Sequence, residues 1–171
     1  MGLSIAITGG IVVFAIVYAM MSFPAIMDNT TKVSISSTKM VNTLNSILHT
    51  QINISNLRNI SNNTVTFSVN NTGSTTLWDY KKFDMIITYR ASDNSKPTEV
   101  LQYATSCASL AADNWCIASI TNDLSHPGML DPKEKANIQA QLSTTTRVGG
   151  TLTLNLATNN GILATNSVII T

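Results

Sequence analysis

Residues 64–89 read TVTFSVNNTGSTTLWDYKKFDMIITY and contain two apolar stripes separated by a polar turn. In the first stripe, Val65, Phe67 and Val69 alternate with polar residues, which is the period-two pattern of a half-buried strand. The second stripe, residues 83–89, is rich in aromatic and branched side chains, which favour strands. An Asn-Asn-Thr-Gly turn lies between them. The stretch therefore predicts two strands of a β-domain.

Similar short stripes occur on both sides of this stretch, each bounded by Gly, Pro, Asn or Asp. No amphipathic helices of the kind that connect parallel strands lie between them. About eight strands at this spacing predict an antiparallel, immunoglobulin-like β-sandwich. The further strand candidates are residues 52–54, 100–103, 115–120, 136–142, 151–157 and 167–170.

One segment admits a second interpretation. Residues 132–142 could form a helix, because Asp131 could supply an N-cap and Pro132 suits the first helical position. The alternation of Ala136, Ile138, Ala140 and Leu142 with polar residues favours a strand instead.

The first 27 residues contain no Asp, Glu, Lys, Arg or His, and all ten basic and nine acidic residues lie at Asp28 or beyond. The apolar run Leu3 to Phe23 is long enough to cross a bilayer as a helix. No Lys or Arg precedes it, and no clear small-x-small cleavage site follows. We therefore expect an uncleaved transmembrane anchor that contacts lipid through residues 3–23.

A helical stalk is expected to follow the anchor, because the apolar residues from Met40 to Leu48 approximate one helical face. The predicted organisation is an anchor at residues 1–27, a stalk at 28–49 and a β-sandwich domain at 50–171.

Two arguments about orientation conflict. Lys32 and Lys39 follow the span, and the positive-inside rule would keep that end in the cytoplasm. Long domains, however, translocate largely regardless of charge. Cys107 and Cys116 could form a disulfide, which requires an oxidising compartment; the alternative is two unpaired thiols. We expect a single-pass protein of the cell membrane with its C-terminal domain outside the cytoplasm.

Five Asn residues fit the N-glycosylation pattern Asn-x-Ser/Thr. About four such matches are expected by chance in a chain this rich in Asn, Ser and Thr, so the pattern alone proves nothing. The candidates are Asn29, Asn53, Asn59, Asn62 and Asn70.

The composition argues against several classes of function. Basic residues are scattered singly, so no stripe could neutralise a row of phosphates, and nucleic-acid binding is not expected. His49 and His126 are the only histidines, and no hydrolase or metalloprotease motif is present. We expect neither an enzyme nor a metal or cofactor site.

Residues 65–89 resemble the F-type stator family of the archaellum, the swimming filament of archaea; the sister G-type family has a similar architecture. Residues 130–134 also resemble the Pro-Gly-Glu turn of such domains, although Lys133 stands where Gly is usual. Residues 105–128 have no counterpart in this resemblance. The matching positions are Asn71, Thr72, Gly73, Ser74, Leu77, Tyr80, Phe83 and Asp84, between two strands.

The resemblance implies a membrane-anchored stator component whose sandwich binds the surface-layer protein and a sister subunit to resist torque. Trp78, Tyr80 and Phe83 are candidate interface residues, because aromatic side chains dominate binding hot spots; the alternative is that they fill the core. The chain could act as a homodimer or a monomer. The second hypothesis is a pilin-like or archaellin-like filament subunit that polymerises through its apolar helix, although no charged leader precedes that helix.

Overall fold

The computed structural model describes residues 2–171, except for the side chains of residues 2–6, 22–26 and 29–30. Over the described residues it contains one long helix, α1, and eight strands. The chain divides into two compact units, Met1–Leu44 and Asn45–Thr171. The last turn of α1 therefore belongs to the second unit. The strands are β1 (Ile52–Ser61), β2 (Thr64–Asn71), β3 (Asp84–Tyr89), β4 (Thr98–Tyr103), β5 (Asn114–Thr121), β6 (Lys135–Gln141), β7 (Thr151–Ala157) and β8 (Leu163–Ile169).

Helix α1 runs from Gly2 to His49 and covers both the predicted anchor and the predicted stalk. The large apolar side chains described between Ile7 and Met21 are exposed. Among the described residues, no helical segment has both the length and the apolarity to span a membrane. The predicted span, Leu3 to Phe23, falls partly on residues 3–6 and 22–23, whose side chains lie outside the description.

The strands form one hydrogen-bonded order, β1-β2-β6-β5-β4-β3-β7-β8, which encloses a single core. Inward and outward side chains alternate along each central strand, as the sequence predicts. Leu152, Leu154 and Leu156 of β7 are fully buried, and Met85 and Ile87 of neighbouring β3 are too. Residues 135–141 form a strand and not a helix, with the side chains of positions 136, 138 and 140 buried.

One pairing departs from the antiparallel sandwich that the sequence predicts. Strands β4 and β5 pair in parallel, through Gln102 with Asn114 and Tyr103 with Trp115. Parallel neighbours need a crossover connection and cannot be joined by a tight hairpin. The segment between these two strands supplies that crossover, and a disulfide joins its Cys107 to Cys116 of β5.

The amide of Asn71 ties together the loops at one end of the sandwich. Asn71 is only 1% exposed. Its Nδ2 donates hydrogen bonds to the carbonyl oxygens of Thr75 (2.8 Å) and Leu130 (2.9 Å), and its Oδ1 accepts one from the Gly73 N–H (3.1 Å). Its main-chain N–H and C=O bond to Glu134 and Lys133. The loop after β2 and the turn before β6 are therefore held as one unit.

In the turn before β6, Lys133 occupies the position where glycine is usual. Lys133 has a φ of +71°, the left-handed conformation that glycine adopts most easily. Its N–H donates to the Asn71 carbonyl oxygen at 2.8 Å, and the Glu134 carboxylate accepts from the Asp131 N–H at 2.9 Å. Lys133 therefore adopts the left-handed conformation at the position where the resemblance has glycine.

We expect Asn71→Ala to lower the free energy of unfolding by about 3 kcal/mol, because it removes three side-chain hydrogen bonds at a buried position and leaves the half-buried Thr75 carbonyl oxygen without its partner. Asn70→Ala is the matched control. The Asn70 Nδ2 contacts Ser55 Oγ at 3.0 Å at a half-buried position, so its loss should cost less than about 1 kcal/mol. Chemical unfolding of the full chain, followed by near-ultraviolet circular dichroism, would measure both. Equal losses in the two variants would contradict the central role of the Asn71 amide.

Candidate functional site

The loop between β2 and β3 presents one aromatic side chain to solvent and buries two. Trp78 is 60% exposed, whereas Tyr80 and Phe83 are 7% and 6% exposed. The structure therefore places Tyr80 and Phe83 in the core, which corrects their candidacy as interface residues in favour of the alternative that the sequence left open. Of the three, Trp78 alone is accessible to solvent.

Tyr80 and Phe83 are buried because they belong to an aromatic cluster under the loop. The ring centroids of Tyr80 and Phe83 lie 5.5 Å apart in an edge-to-face arrangement. Tyr103 lies 5.8 Å from Tyr80 and 4.9 Å from Trp115, which is fully buried. Burial raises the pKa of Tyr80, whose hydroxyl donates to the Leu77 carbonyl oxygen at 3.1 Å.

Polar contacts hold the Trp78 loop against the loop before β6. Thr76 Oγ1 donates to Asp131 Oδ1 at 2.7 Å, and His126 Nδ1 lies 2.8 Å from Asp131 Oδ2. The Thr76 bond and then the His126 bond lower the pKa of Asp131. Main-chain hydrogen bonds between Leu77 and Leu130 complete the attachment. Trp78 is consequently carried by a loop whose conformation is fixed by the neighbouring loop.

The junction between the last helical turn and the sandwich is the second feature of this region. Only Thr50 and Gln51 separate α1 from β1. The Asn160 Nδ2, in the turn between β7 and β8, donates to Thr50 Oγ1 at 2.6 Å and to Ser46 Oγ at 3.2 Å. Thr50 Oγ1 in turn donates to the Ser46 carbonyl oxygen at 2.8 Å. The end of the helix is thus hydrogen-bonded to the turn between β7 and β8, which lies more than a hundred residues later in the sequence.

The loop that follows β2 holds the same junction from another direction. The Gln51 carbonyl oxygen accepts hydrogen bonds from the N–H groups of Thr72 (2.9 Å) and Gly73 (3.0 Å), and the His49 carbonyl oxygen accepts one from Ser74 (2.8 Å). A Cβ atom on Gly73 would lie 2.5 Å from both Gln51 N and His49 O. Glycine is therefore required here for close approach of two main-chain segments.

The glycosylation candidates differ in how available their side chains are. Asn53 and Asn62 are exposed. Two others are hydrogen-bonded: Asn59 Nδ2 donates to Thr146 Oγ1 at 2.7 Å, and Asn70 Nδ2 donates to Ser55 Oγ at 3.0 Å. The side chain of Asn29 lies outside the described residues. Asn53 and Asn62 are accordingly the two candidates in the second unit whose side chains are exposed.

A protein-family model described as "Conserved flagellar protein F, immunoglobulin-like domain" matches residues 48–167. The chain belongs to this family. The F-type resemblance of residues 65–89 is confirmed, and the matched region begins at the helix–sandwich junction and ends within β8. No curated protein matches the chain.

Solved structures share the fold of this flagellar protein F chain. A chain of the archaeal flagellum of Methanospirillum hungatei matches with 14% identity and a TM-score of 0.59, over 100% of this chain and 94% of that one. A chain of the archaellum periplasmic stator protein complex FlaF and FlaG from Sulfolobus acidocaldarius matches with 20% identity and a TM-score of 0.52, over 69% and 88%. At these identities the likeness concerns the fold.

The sequence signalled some of this region and missed the rest. The Asn71 to Ser74 motif and Trp78 are recognisable from residue type and spacing. Asn160 is not, because residues 158–161 look like an ordinary turn, and the Ser46 and Thr50 groups that Asn160 contacts are more than a hundred residues away. Only tertiary structure brings these groups together.

Phe83→Ala and Trp78→Ala should separate the buried from the exposed aromatic positions. We expect Phe83→Ala to lower the free energy of unfolding by about 3 to 5 kcal/mol, since it leaves a cavity beside Tyr80 and Trp115. Trp78→Ala should change it by less than about 0.5 kcal/mol. Denaturant unfolding of both full-length variants is the measurement. A large loss for Trp78→Ala would remove Trp78 from consideration as a free surface anchor.

Proposed function

We propose that this chain is a stator component of the archaellum motor, anchored in the membrane by its N-terminal helix and attached through its sandwich to the surface layer and to a sister subunit. Its task is to resist rotation while the filament turns. Membership in the flagellar protein F family supports the motility assignment.

The observation that carries the proposal is the set of hydrogen bonds that joins the last turn of α1 to the sandwich within the second unit. A stator resists torque only if its attachments cannot swivel about a single bond. Here Asn160 bonds to Thr50 and Gly73 bonds to Gln51, the two connecting residues. Ser74 bonds to His49, the last residue of the helix. A flexible linker would have allowed rotation without load.

Two observations support the membrane attachment and the exterior position of the sandwich. The described side chains from Ile7 to Met21 include no charged residue, and their large apolar members are exposed and need a cover such as lipid. The disulfide between Cys107 and Cys116 suits an oxidising compartment outside the cytoplasm. Glycans on Asn53 and Asn62 would fit the same location.

The sister subunit is the better supported partner. A FlaF and FlaG complex from Sulfolobus acidocaldarius has the same fold in at least one of its chains, which supports an F-type and G-type pair as the unit of function. The surface-layer protein is proposed from the mechanical requirement for a non-lipid attachment. We assign the exposed Trp78 as an anchor for one of these two partners.

A flexible insertion at the junction tests the mechanical role. We expect six alternating Gly and Ser residues between Thr50 and Gln51 to reduce swimming speed at least about tenfold in cells that lack the unaltered chain, because the insertion lets the sandwich swivel. Swimming would be measured by video tracking, and filaments would be counted by electron microscopy.

The same insertion after Asn94, in the exposed turn between β3 and β4, is the matched control and should leave swimming unchanged. Normal swimming with the junction insertion would overturn the proposed role of the junction. Equal membrane levels of both inserted chains, measured by immunoblot, ensure that a swimming defect reflects mechanics and not loss of protein.

Binding of the full chain in detergent micelles to the purified sister subunit and to the surface-layer protein tests the partners. Trp78→Ala should weaken one of these interactions about 30-fold, the scale of a hot-spot residue. Val148→Ala, a change at another exposed apolar residue, is the control and should leave both affinities unchanged. Unchanged binding of Trp78→Ala to both partners would contradict the assignment of Trp78.

A filament subunit is the second candidate function. The likeness to a chain of the Methanospirillum hungatei flagellum extends over the whole of this chain, helix included, which favours this alternative specifically. Mass spectrometry of isolated filaments distinguishes the two. A filament subunit would be a major component of the filament, whereas a stator component would remain with the envelope.

A further inference from the structure

The outer face of β1, β2, β6 and β5 carries a groove of about 600 Å³. Two β-bulges flank it. The register of β1 shifts between Ser55 and Arg58, where Asn56 has a φ of +54°, and that of β5 shifts between Ile117 and Ser119. A bulge bends its strand and increases the local twist. The bulges in β1 and β5 therefore make this face concave over β2 and β6, which lie between them.

The floor of the groove offers neutral hydrogen-bonding groups. Ser68 Oγ donates to Asn137 Oδ1 at 3.0 Å, and Asn137 Nδ2 donates to Ser119 Oγ at 3.0 Å. The hydroxyl oxygen of Thr66 is shielded from solvent and has no hydrogen-bond partner. Gln139, opposite Thr66 in the ladder, also lines the groove. The Ser68 hydroxyl and the Asn137 and Gln139 amides thus lie side by side on this floor, with lone pairs and N–H groups left for a ligand.

The walls of the groove carry positive charge without a counterion. Arg58 and Lys135 line it, and no acidic residue does. Neither of these two cations forms an ion pair with any residue that the structure describes. Two unpaired cations beside neutral donors and acceptors favour an anionic, oxygen-rich ligand, because charge-assisted hydrogen bonds are the strong ones.

We propose that this groove binds a saccharide that carries a carboxylate or sulfate group. The amide and hydroxyl side chains suit sugar hydroxyls, Arg58 and Lys135 suit the anionic group, and Ile60 supplies an apolar wall for the ring. The volume lies within the usual range for ligand pockets, roughly 300 to 1,000 Å³. The assignment depends on the groove alone and stands whether or not the chain is a stator component.

An acidic peptide fits the groove less well. Extended peptides bind by adding a strand to a free sheet edge, and helical ones by burying an apolar stripe. The floor here consists of β2 and β6, each paired on both sides, so it has no free main-chain edge. It also contains polar side chains where a helical peptide would need an apolar trough.

Titration calorimetry on the full chain in detergent micelles tests the proposal with trigalacturonic acid as the probe. Maltotriose serves as an uncharged sugar, and hexaglutamate and inorganic sulfate as anions without a sugar ring. We expect trigalacturonic acid to bind at least about tenfold more tightly than each of the other three. Arg58→Ala and Lys135→Ala should each weaken that binding about tenfold, whereas Arg147→Ala, at an exposed arginine outside the groove, should leave it unchanged.

Nuclear magnetic resonance of the isotope-labelled chain without substitutions tests the site independently of how any variant folds. Trigalacturonic acid should shift the amide signals of residues 66–68 and 137–139. The proposal would be overturned if trigalacturonic acid did not bind or shifted only the signals of other strands. It would also be overturned if Arg147→Ala weakened binding equally, or if hexaglutamate, sulfate or maltotriose bound equally well.

Discussion

The buried amide of Asn71 is the interaction on which the organisation of this domain depends. Its three side-chain hydrogen bonds join the end of β2, the loop that carries Trp78 and the loop that precedes β6. Its main-chain groups bond to the left-handed turn at Lys133. Because Asn71 and Leu130 are buried, the Asn71 amide would lose these hydrogen bonds without gaining water in their place if the loops moved apart.

The helix–sandwich junction is built on the same loop. Thr72 and Gly73 follow Asn71 directly, and their N–H groups bond to the residue that links α1 to β1. Asn160 holds the junction from the turn between β7 and β8, so main-chain and side-chain bonds restrain it from two parts of the sequence. The loop after β2 therefore fixes the last turn of α1 to the sandwich within the second unit.

The aromatic residues of the motif illustrate the limit of reasoning from residue type. Trp78, Tyr80 and Phe83 lie within six positions and could all serve a core or an interface. A short 3-10 turn at Tyr80–Lys82 rotates the chain so that Tyr80 and Phe83 face Tyr103 and Trp115, while Trp78 faces solvent. The spacing of the three residues alone cannot reveal this, because their partners come from β4 and β5.

The sequence by itself determined the eight strands, the helical N-terminal region and the family, because each depends on local periodicity or on a contiguous motif. The burial of β7 at Leu152, Leu154 and Leu156 is readable in this way. Tertiary structure alone decided the parallel pairing of β4 with β5, the bond from Asn160 to Thr50 and the groove between two bulges. These features depend on which distant segments meet and in what register, and neither is encoded in the alternation of any one strand.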